Sequence, residues 1–202
     1  MAKKTMKVII PIVVIVIIFL IIYGSFSGTY NKMVAMDEGV KSAWSQVENQ
    51  YQRRYDLIPN LVETVKGYAS HESQTFTDIA TARASAGGVM QMSDELLDDP
   101  EAFARFQEAQ STLGGALQRL LVVTENYPEL QANQNFMALQ DQLEGTENRI
   151  SVERKRFNEQ VQSYNSYIRS FPKAIIANMS GFEQKSYFKA ADAAQSAPEV
   201  KF

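Results

Sequence analysis

The residues with the most chemical potential in this sequence are a single histidine and a serine–lysine pair. His71 is the only histidine, and Thr75 occupies the position four residues later, where a zinc metalloprotease motif has its second histidine. Tyr68 lies three residues before His71, so the glutamate–histidine spacing of carboxylate-bridged metal bundles is also missing. We therefore predict that His71 is a surface or helix-cap residue and that the protein has no metal and no cofactor.

Ser170 and Lys173 match the Ser-x-x-Lys motif in their letters. Pro172 lies between them and would break the helical turn that brings the lysine to the hydroxyl. The chain has no cysteine, which excludes disulfides, thiolate metal ligands and a lipoprotein anchor. These observations predict that the protein has no catalytic residues and is not an enzyme.

A set of polar residues at or beside the apolar seams of predicted helices provides the candidate site. It consists of Glu48, Arg53, Arg54, Asn60, Glu125, Glu147, Asn148, Arg154, Asn158 and Asn165. Buried polar groups need hydrogen-bonding partners. Two interpretations are open: arginines pair with glutamates and fix the register of the helices, or the residues form a polar pocket for a small molecule or a peptide.

Helices must position these residues, because apolar side chains recur every three or four positions over most of the chain. The first amphipathic helix starts near Val40, and its apolar face runs to Ala69, resumes at Phe76 and ends at Gly87–Gly88. We expect this helix to continue through Pro59 with a kink, because proline removes one backbone hydrogen bond.

Two further helices follow. Asp99-Pro100-Glu101 predicts the start of the second, with an N-cap residue, a proline at the first helical position and an acid in the first turn, and Pro128 ends it. A close helix crossing is expected at Gly114–Gly115. The third helix has an apolar stripe from Phe136 to Phe171, and a short helical segment is expected at Ala174–Met179.

The predicted fold is all-α, with one N-terminal transmembrane helix followed by an elongated antiparallel bundle of three or four helices. We divide the chain into a short basic N terminus at 1–7, a transmembrane helix at 8–26, a helical bundle at 30–180 and a C-terminal tail at 181–202. A linker is expected at Ser25–Thr29, and Ala190–Phe202 has the composition of a loose polar tail.

Residues 8–31 carry no charge, and a helix from Met6 to Phe26 would be roughly 31 Å long, close to the hydrocarbon thickness of a bilayer. A cleaved signal peptide is the alternative, although this apolar core is long for one. Because three lysines precede the span, the positive-inside rule predicts a cytoplasmic N terminus and a bundle on the extracytoplasmic side.

The rest of the chain is acidic. Once these three lysines are set aside, 17 Lys and Arg remain against 23 Asp and Glu, a net charge of about −6. A body with this charge is poorly suited to bind nucleic acid or anionic lipid. We therefore expect no nucleic-acid partner.

The segment Tyr51–Glu72 resembles the signature of the LemA family of bacterial membrane proteins. Further family landmarks follow in order, and they are Tyr30-Asn31, Ala82-Arg83-Ala84, Glu125–Leu130, Leu139-Gln140, Glu147–Ile150, Arg156-Phe157-Asn158, Tyr164-Asn165, Phe171-Pro172 and Gly181-Phe182. The resemblance covers residue 5 to about residue 190, and it departs from the family pattern at Phe157, where a tyrosine is expected.

The resemblance implies an anchored helical bundle of the bacterial inner or cytoplasmic membrane, in a family without an established enzymatic activity. It supplies no catalytic residue. Because family members are often encoded near membrane metalloproteases, it also implies an envelope partner such as a membrane protease.

Two functional hypotheses follow. The first is a non-enzymatic scaffold or interaction protein of the cell envelope that forms homo-oligomers, with Met33, Met36, Leu96 and Leu97 as a candidate contact surface. The second is a ligand-sensing or transport-accessory module, which requires a cavity near Arg54 and Glu147.

Overall fold

The computed structural model describes residues 2–90 and 96–189, and within these ranges the chain forms helices and no strands. The helices are α1 (Ala2–Lys66), α2 (Ser73–Met90), α3 (Pro100–Thr124), α4 (Pro128–Gln131), α5 (Gln134–Arg169) and α6 (Lys173–Ser180). The predicted all-α class and the packing of the helices as a bundle are confirmed. The loose tail predicted from Ala190 lies outside the described residues.

Helix α1 is one continuous helix that includes the predicted span, the expected linker and the first part of the bundle. The linker expected at Ser25–Thr29 is wrong, because this segment is helical. Each glycine costs about 1 kcal/mol of helix propensity, and helical turns on both sides offset this cost through the cooperativity of helix formation. The helix also continues through Pro59, as predicted.

The first amphipathic segment is interrupted where no break was expected. After α1 ends at Lys66, the amides of Tyr68 and Ala69 both donate to the Val65 carbonyl at 3.0 and 2.9 Å, which forms a turn before α2. Helix α2 then extends past Gly87–Gly88 to Met90. The predicted single helix is therefore two helices, and the apolar period continues from one to the other.

The chain divides into two compact units. The described part of the first unit comprises residues 2–40 and 162–184, and that of the second comprises residues 41–90, 96–161 and 185–189. In the first unit, Met33, Val40, Tyr164, Ile168 and Ala177 are buried. Helix α6 corresponds to the predicted short segment and ends at Gly181, whose φ of 74° is the left-handed conformation that glycine adopts readily.

The apolar segment of α1 lies in the first unit. Every side chain from Ile12 to Tyr23 is exposed. The segment is long and apolar enough to cross a membrane, and none of its apolar stretch is buried within the described protein. Within the described residues, α1 is the only helix with this property.

The second unit contains most of the apolar core. A cluster of buried aliphatic and aromatic residues extends from Ile58 and Leu61 to Leu143 and includes Leu113 and Leu120. The start of α3 is as predicted, because the Asp99 carboxylate accepts the Glu101 amide at 2.8 Å and Pro100 occupies the first helical position.

Among the described glycines of this unit, Gly87 makes the tightest contact with a neighbouring side chain. A Cβ at Gly87 would lie 2.9 Å from the Tyr55 hydroxyl oxygen, which is closer than side chains tolerate. A Cβ at Gly114 would lie 3.9 Å from Arg54 Nη1, an ordinary contact. The close crossing predicted at Gly114–Gly115 is therefore not observed, and the tightest contact at a glycine is between Gly87 on α2 and the Tyr55 side chain.

Candidate functional site

Among the described residues of the second unit, the most buried charged residue is Arg54 on α1, which is 3% exposed. Its Nη1 donates to both carboxylate oxygens of Glu147 on α5, at 3.0 and 3.3 Å. Its Nη2 donates to the backbone carbonyl of Gln110 on α3 at 3.2 Å and to the side-chain Oε1 of the same residue. We call Arg54, Gln110, Glu147 and Tyr51 the Arg54 centre, and it joins three helices through one guanidinium.

The two sides of this ion pair differ in their contact with solvent. The Arg54 side chain is 4% exposed and the Glu147 side chain is 43% exposed. Burial removes water from the guanidinium, so its charge depends on the acceptors that the protein supplies. Glu147 keeps part of its hydration, which lowers the desolvation cost of the pair.

The Tyr51 side chain and two buried donors, Arg54 Nε and Gln110 Nε2, also contribute to the electrostatics of the Arg54 centre. The Arg54 guanidinium lies 5.0 Å from the centroid of the Tyr51 ring, in the range of a cation–π contact. Burial raises the pKa of the Tyr51 hydroxyl above its usual 10.0, although the charges of Arg154 and Arg54 act in the opposite direction. Arg54 Nε and Gln110 Nε2 are buried donors with no hydrogen-bond partner in the described protein.

A second cluster holds the segment Lys185–Lys189, which sequence analysis places in the tail. The side-chain amide of Asn158 donates from Nδ2 to the Phe188 carbonyl at 3.0 Å and accepts the Phe188 amide at Oδ1 at 2.9 Å. Arg154 Nη2 donates to the Lys189 carbonyl at 2.9 Å, and Gln107 Oε1 accepts the Lys189 amide at 2.9 Å. We call this arrangement the Phe188 clamp.

Aromatic packing accounts for the position of the Phe188 ring. The ring is 6% exposed and lies 5.0 Å from Phe103, 5.4 Å from Phe157 and 6.0 Å from Trp44, measured between centroids. The Arg154 guanidinium covers it at 4.6 Å. Such offset and edge-on contacts add to the burial of apolar area. The segment Lys185–Lys189 is thus held by hydrogen bonds to its backbone and by one inserted ring.

The structure brings together four of the ten predicted site residues in two places. Arg54 and Glu147 form the ion pair of the Arg54 centre, and Arg154 and Asn158 form the Phe188 clamp. The others do not join these clusters: Arg53, Asn60, Glu125 and Asn148 are exposed, Glu48 is half-buried, and Asn165 is buried in the first unit.

No site role was predicted for Tyr51, Gln110 or Phe188. Gln110 occupies an apolar position of the α3 stripe, and a glutamine in that position is a recognisable signal for a buried polar partner. Tyr51 lies three residues before Arg54 and therefore on the same helical face. Phe188 has no comparable signal, because the residues around it show no helical or strand period.

The contact surface expected for self-association is partly wrong. Met33 is 0% exposed and Leu96 is 1% exposed, so both belong to the interior of their units. Met36 and Leu97 are half-buried. Since buried side chains cannot contact a partner without unfolding, this set does not form an apolar surface.

The described residues contain no group of three or more His, Asp or Glu side chains arranged to hold a metal ion. A surface cavity of about 240 Å³ is lined by Arg53, Asp141, Gln142, Gly145, Thr146 and Arg149. Most polar groups of the two clusters bond to one another. This arrangement is suited to holding helices and a chain segment in place.

The sequence matches a known protein family. A sequence profile of the LemA family matches residues 43–202, which covers both clusters. The chain belongs to the LemA family. Membership in the LemA family, together with the exposed apolar segment of α1, indicates a membrane-associated protein.

Similar proteins include three magnetosome proteins. MamQ of Magnetospirillum gryphiswaldense is 30% identical to this LemA-family chain, and MamQ 1 and MamQ 2 of Paramagnetospirillum magneticum are each 29% identical. Each match covers 79% of this chain and 64% of the relative. The chain therefore spans less than two thirds of the length of these relatives.

Proposed function

We propose that this LemA-family protein is a non-enzymatic, membrane-anchored scaffold of the bacterial envelope that associates with copies of itself or with another envelope protein. The supporting observation is the apolar segment Ile12–Tyr23, which is entirely exposed and lies on the same helix that supplies Arg54 to the second unit. An apolar surface of this size requires cover, and a bilayer provides it.

The polar clusters support a structural role for the rest of the chain. Arg54 binds acceptors on two other helices, and the clamp holds Phe188 with its backbone bonds satisfied. Neither cluster pairs a nucleophile with a general base. A bundle stabilised in this way presents a defined surface at the membrane, which is what a scaffold requires.

The proposed orientation places the N terminus in the cytoplasm and the bundle outside, from the lysines before the span. The absence of cysteine allows a direct test, because each single-cysteine variant carries one thiol. In spheroplasts, a membrane-impermeant maleimide should label His71→Cys and should leave Lys4→Cys unlabelled until the cells are lysed. Labelling of Lys4→Cys alone would overturn the orientation.

Self-association is proposed because confinement to a membrane raises the effective concentration of the bundles and allows weak contacts to form. The test is crosslinking of the cysteine-free chain in native membranes with a lysine-reactive reagent, followed by mass spectrometry of the captured species. We expect homo-oligomers, or a defined envelope protein such as a membrane protease. Monomers alone at native abundance, and again in mild detergent at high concentration, would refute the scaffold.

A second candidate is a ligand-sensing or transport-accessory module. It is favoured by the two buried donors that lack partners, Arg54 Nε and Gln110 Nε2, and by the cavity bordered by Arg53 and Arg149. Inorganic phosphate is a suitable probe for a site that contains two guanidinium groups. This candidate predicts a higher melting temperature with phosphate than with chloride at equal ionic strength, and loss of the difference in Arg149→Gln.

A further inference from the structure

The last helix of the first unit has an exposed apolar face. On α6, Ile175 and Met179 lie about one turn apart and are 54% and 76% exposed, whereas Ala177 is 2% exposed. Two positions along an α-helix correspond to a rotation of about 200°, so Ala177 lies on the side opposite both. Phe171, just before the helix, is 85% exposed. We call Phe171, Ile175 and Met179 the α6 apolar face.

Single exposed apolar side chains are ordinary on protein surfaces, and a continuous group of large ones marks an interaction site. The α6 apolar face is a candidate for such a group, because Ile175 and Met179 are about one helical turn apart and Phe171 is exposed in the turn just before the helix. Helix α6 carries only one charged residue, Lys173. The helix therefore has a buried side toward its own unit and an apolar side with no cover from the described protein.

The same unit contains the apolar segment of α1, and one ring contact joins α1 to the end of α6. The Tyr30 ring packs edge-on against the Phe182 ring with the centroids 5.6 Å apart. The Phe182 amide donates to the Ala177 carbonyl at 3.0 Å, which fixes Phe182 to the last turn of α6. Tyr30 lies four residues, roughly 6 Å of helix, beyond Phe26. The end of α6 is thus close to the predicted end of the span.

The residues around the α6 apolar face are those found at membrane–water interfaces. The Lys173 ammonium lies 4.2 Å from the centroid of the Tyr167 ring and donates to the Ser170 hydroxyl at 3.2 Å. Tyrosine and lysine combine an apolar body with a polar end, and this suits them to the headgroup region.

We propose that the α6 apolar face docks onto the bilayer, with Phe171, Ile175 and Met179 entering the interfacial region beside the span. Lipid is the occupant because the Tyr30–Phe182 contact joins the end of α6 to the end of the segment that lipid covers. The contact is apolar, since α6 carries a single charge and the body of the protein is acidic. Docking is therefore independent of anionic lipid. This inference rests on the proposed anchoring by α1.

The test uses the full chain in proteoliposomes of phosphatidylcholine, with and without phosphatidylglycerol. A polarity-sensitive fluorophore is attached to Met179→Cys, and quenching by lipids brominated near the headgroup end of the acyl chain is measured. Val122→Cys is the matched control, because Val122 is an apolar side chain that is 61% exposed on α3 of the second unit. Ile15→Cys reports insertion of the span.

We expect a blue-shifted and quenched signal at position 179 in both lipid mixtures, no quenching at position 122, and quenching at position 15 by lipids brominated deeper in the chain. Adding Phe171→Ser and Ile175→Ser to the labelled Met179→Cys variant should abolish the shift at position 179, with an unchanged circular dichroism spectrum.

The outcomes separate the two proposals. Quenching at position 15 without quenching at position 179 would overturn docking and leave the anchor intact. Loss of quenching at both positions would overturn the anchoring itself. Efficient disulfide formation between unlabelled Met179→Cys chains at low protein-to-lipid ratio would show that a second copy covers the face, and this would also overturn docking onto lipid.

Discussion

The Arg54 centre and the Phe188 clamp both join distant parts of the second unit, and they do so by different physical means. The Arg54 centre uses one charge to connect α1, α3 and α5, and two of its donors lack partners in the described protein. The Phe188 clamp uses an inserted ring, neutral hydrogen bonds that pair both backbone groups of Phe188, and a half-buried charge, Arg154, that donates to the Lys189 carbonyl.

The difference indicates what each cluster contributes. Burying a charge costs several kcal/mol, which its partners only partly offset, so we expect the Arg54 centre to add little net stability and propose that it mainly disfavours other helix registers. Aromatic burial has no such cost, so the clamp contributes stability directly. We therefore expect the clamp to dominate stability and the Arg54 centre to dominate specificity.

The largest effect is expected for Phe188→Ala. Removal of a ring that is 6% exposed and in contact with three other aromatic rings should lower the free energy of unfolding by about 3 kcal/mol. Urea denaturation of the detergent-solubilised chain measures it. The control is Tyr187→Ala, where the side chain is 41% exposed and the change should be below about 0.5 kcal/mol. Equal losses for both variants would contradict the clamp.

The next effect concerns the Arg54–Glu147 pair. Glu147→Leu leaves the Arg54 charge buried with only the Gln110 oxygens as acceptors, and we expect a loss of about 2 kcal/mol, less than for a fully buried pair because Glu147 is partly hydrated. The double variant Arg54→Leu/Glu147→Leu no longer contains the buried guanidinium charge.

We expect the double variant to regain most of that stability, and a double-mutant cycle measures the coupling. Additive losses would show that the pair is not coupled. If the double variant also associates into larger species than the native chain, the role of the pair in register is supported.

A smaller effect is expected for Asn158→Ala, which removes two neutral hydrogen bonds to the Phe188 backbone while leaving the ring in its pocket. The expected loss is about 1 kcal/mol. Limited proteolysis of the tail should become faster at the same time. Asn148→Ala, at an exposed position on the same helix, is the control. A loss as large as that of Phe188→Ala would mean that the backbone bonds, and not the ring, hold the segment.

The smallest expected effect is a pH dependence of the free energy of unfolding. It arises from Tyr51, whose hydroxyl interacts with groups of both clusters. Because burial raises its pKa in the folded protein, the unfolded chain ionises first as the pH rises above 10. The stabilising contribution is complete below pH 10 and is lost as the pH rises through the folded pKa. Urea midpoints at alkaline pH should fall less steeply for Tyr51→Phe than for the native chain. An identical slope would contradict the burial of the Tyr51 hydroxyl.

The helices were predictable because their signals are local. Asp99 and Pro100 start α3 through contacts within the first turn, and the three-to-four residue period of apolar residues follows from helix geometry. The pairing of an arginine with a glutamate across the bundle was also predictable in kind. Arg54 and Glu147 were expected near one another, but their direct pairing depends on the rotation of α1 relative to α5.

The break at Lys66 and the helical Ser25–Thr29 segment were both mispredicted. In each case the sequence pattern is weak, and the outcome depends on neighbouring turns and on packing. The clamp could not be predicted, because Phe188 binds Asn158, thirty residues away, through backbone atoms that every residue possesses. Whether the ten polar residues bind a ligand stays a prediction.

The amino-acid sequence by itself determined the apolar segment of α1, the helical class, the acidic body and the family, since each depends on composition or on a short-range period. Tertiary structure decided which glycine permits close packing, which arginine is buried, and that a segment without periodicity would insert Phe188 among three aromatic rings. It also left Phe171, Ile175 and Met179 exposed among the described residues. These features depend on the matching of surfaces that are far apart along the chain, and no local pattern encodes that matching.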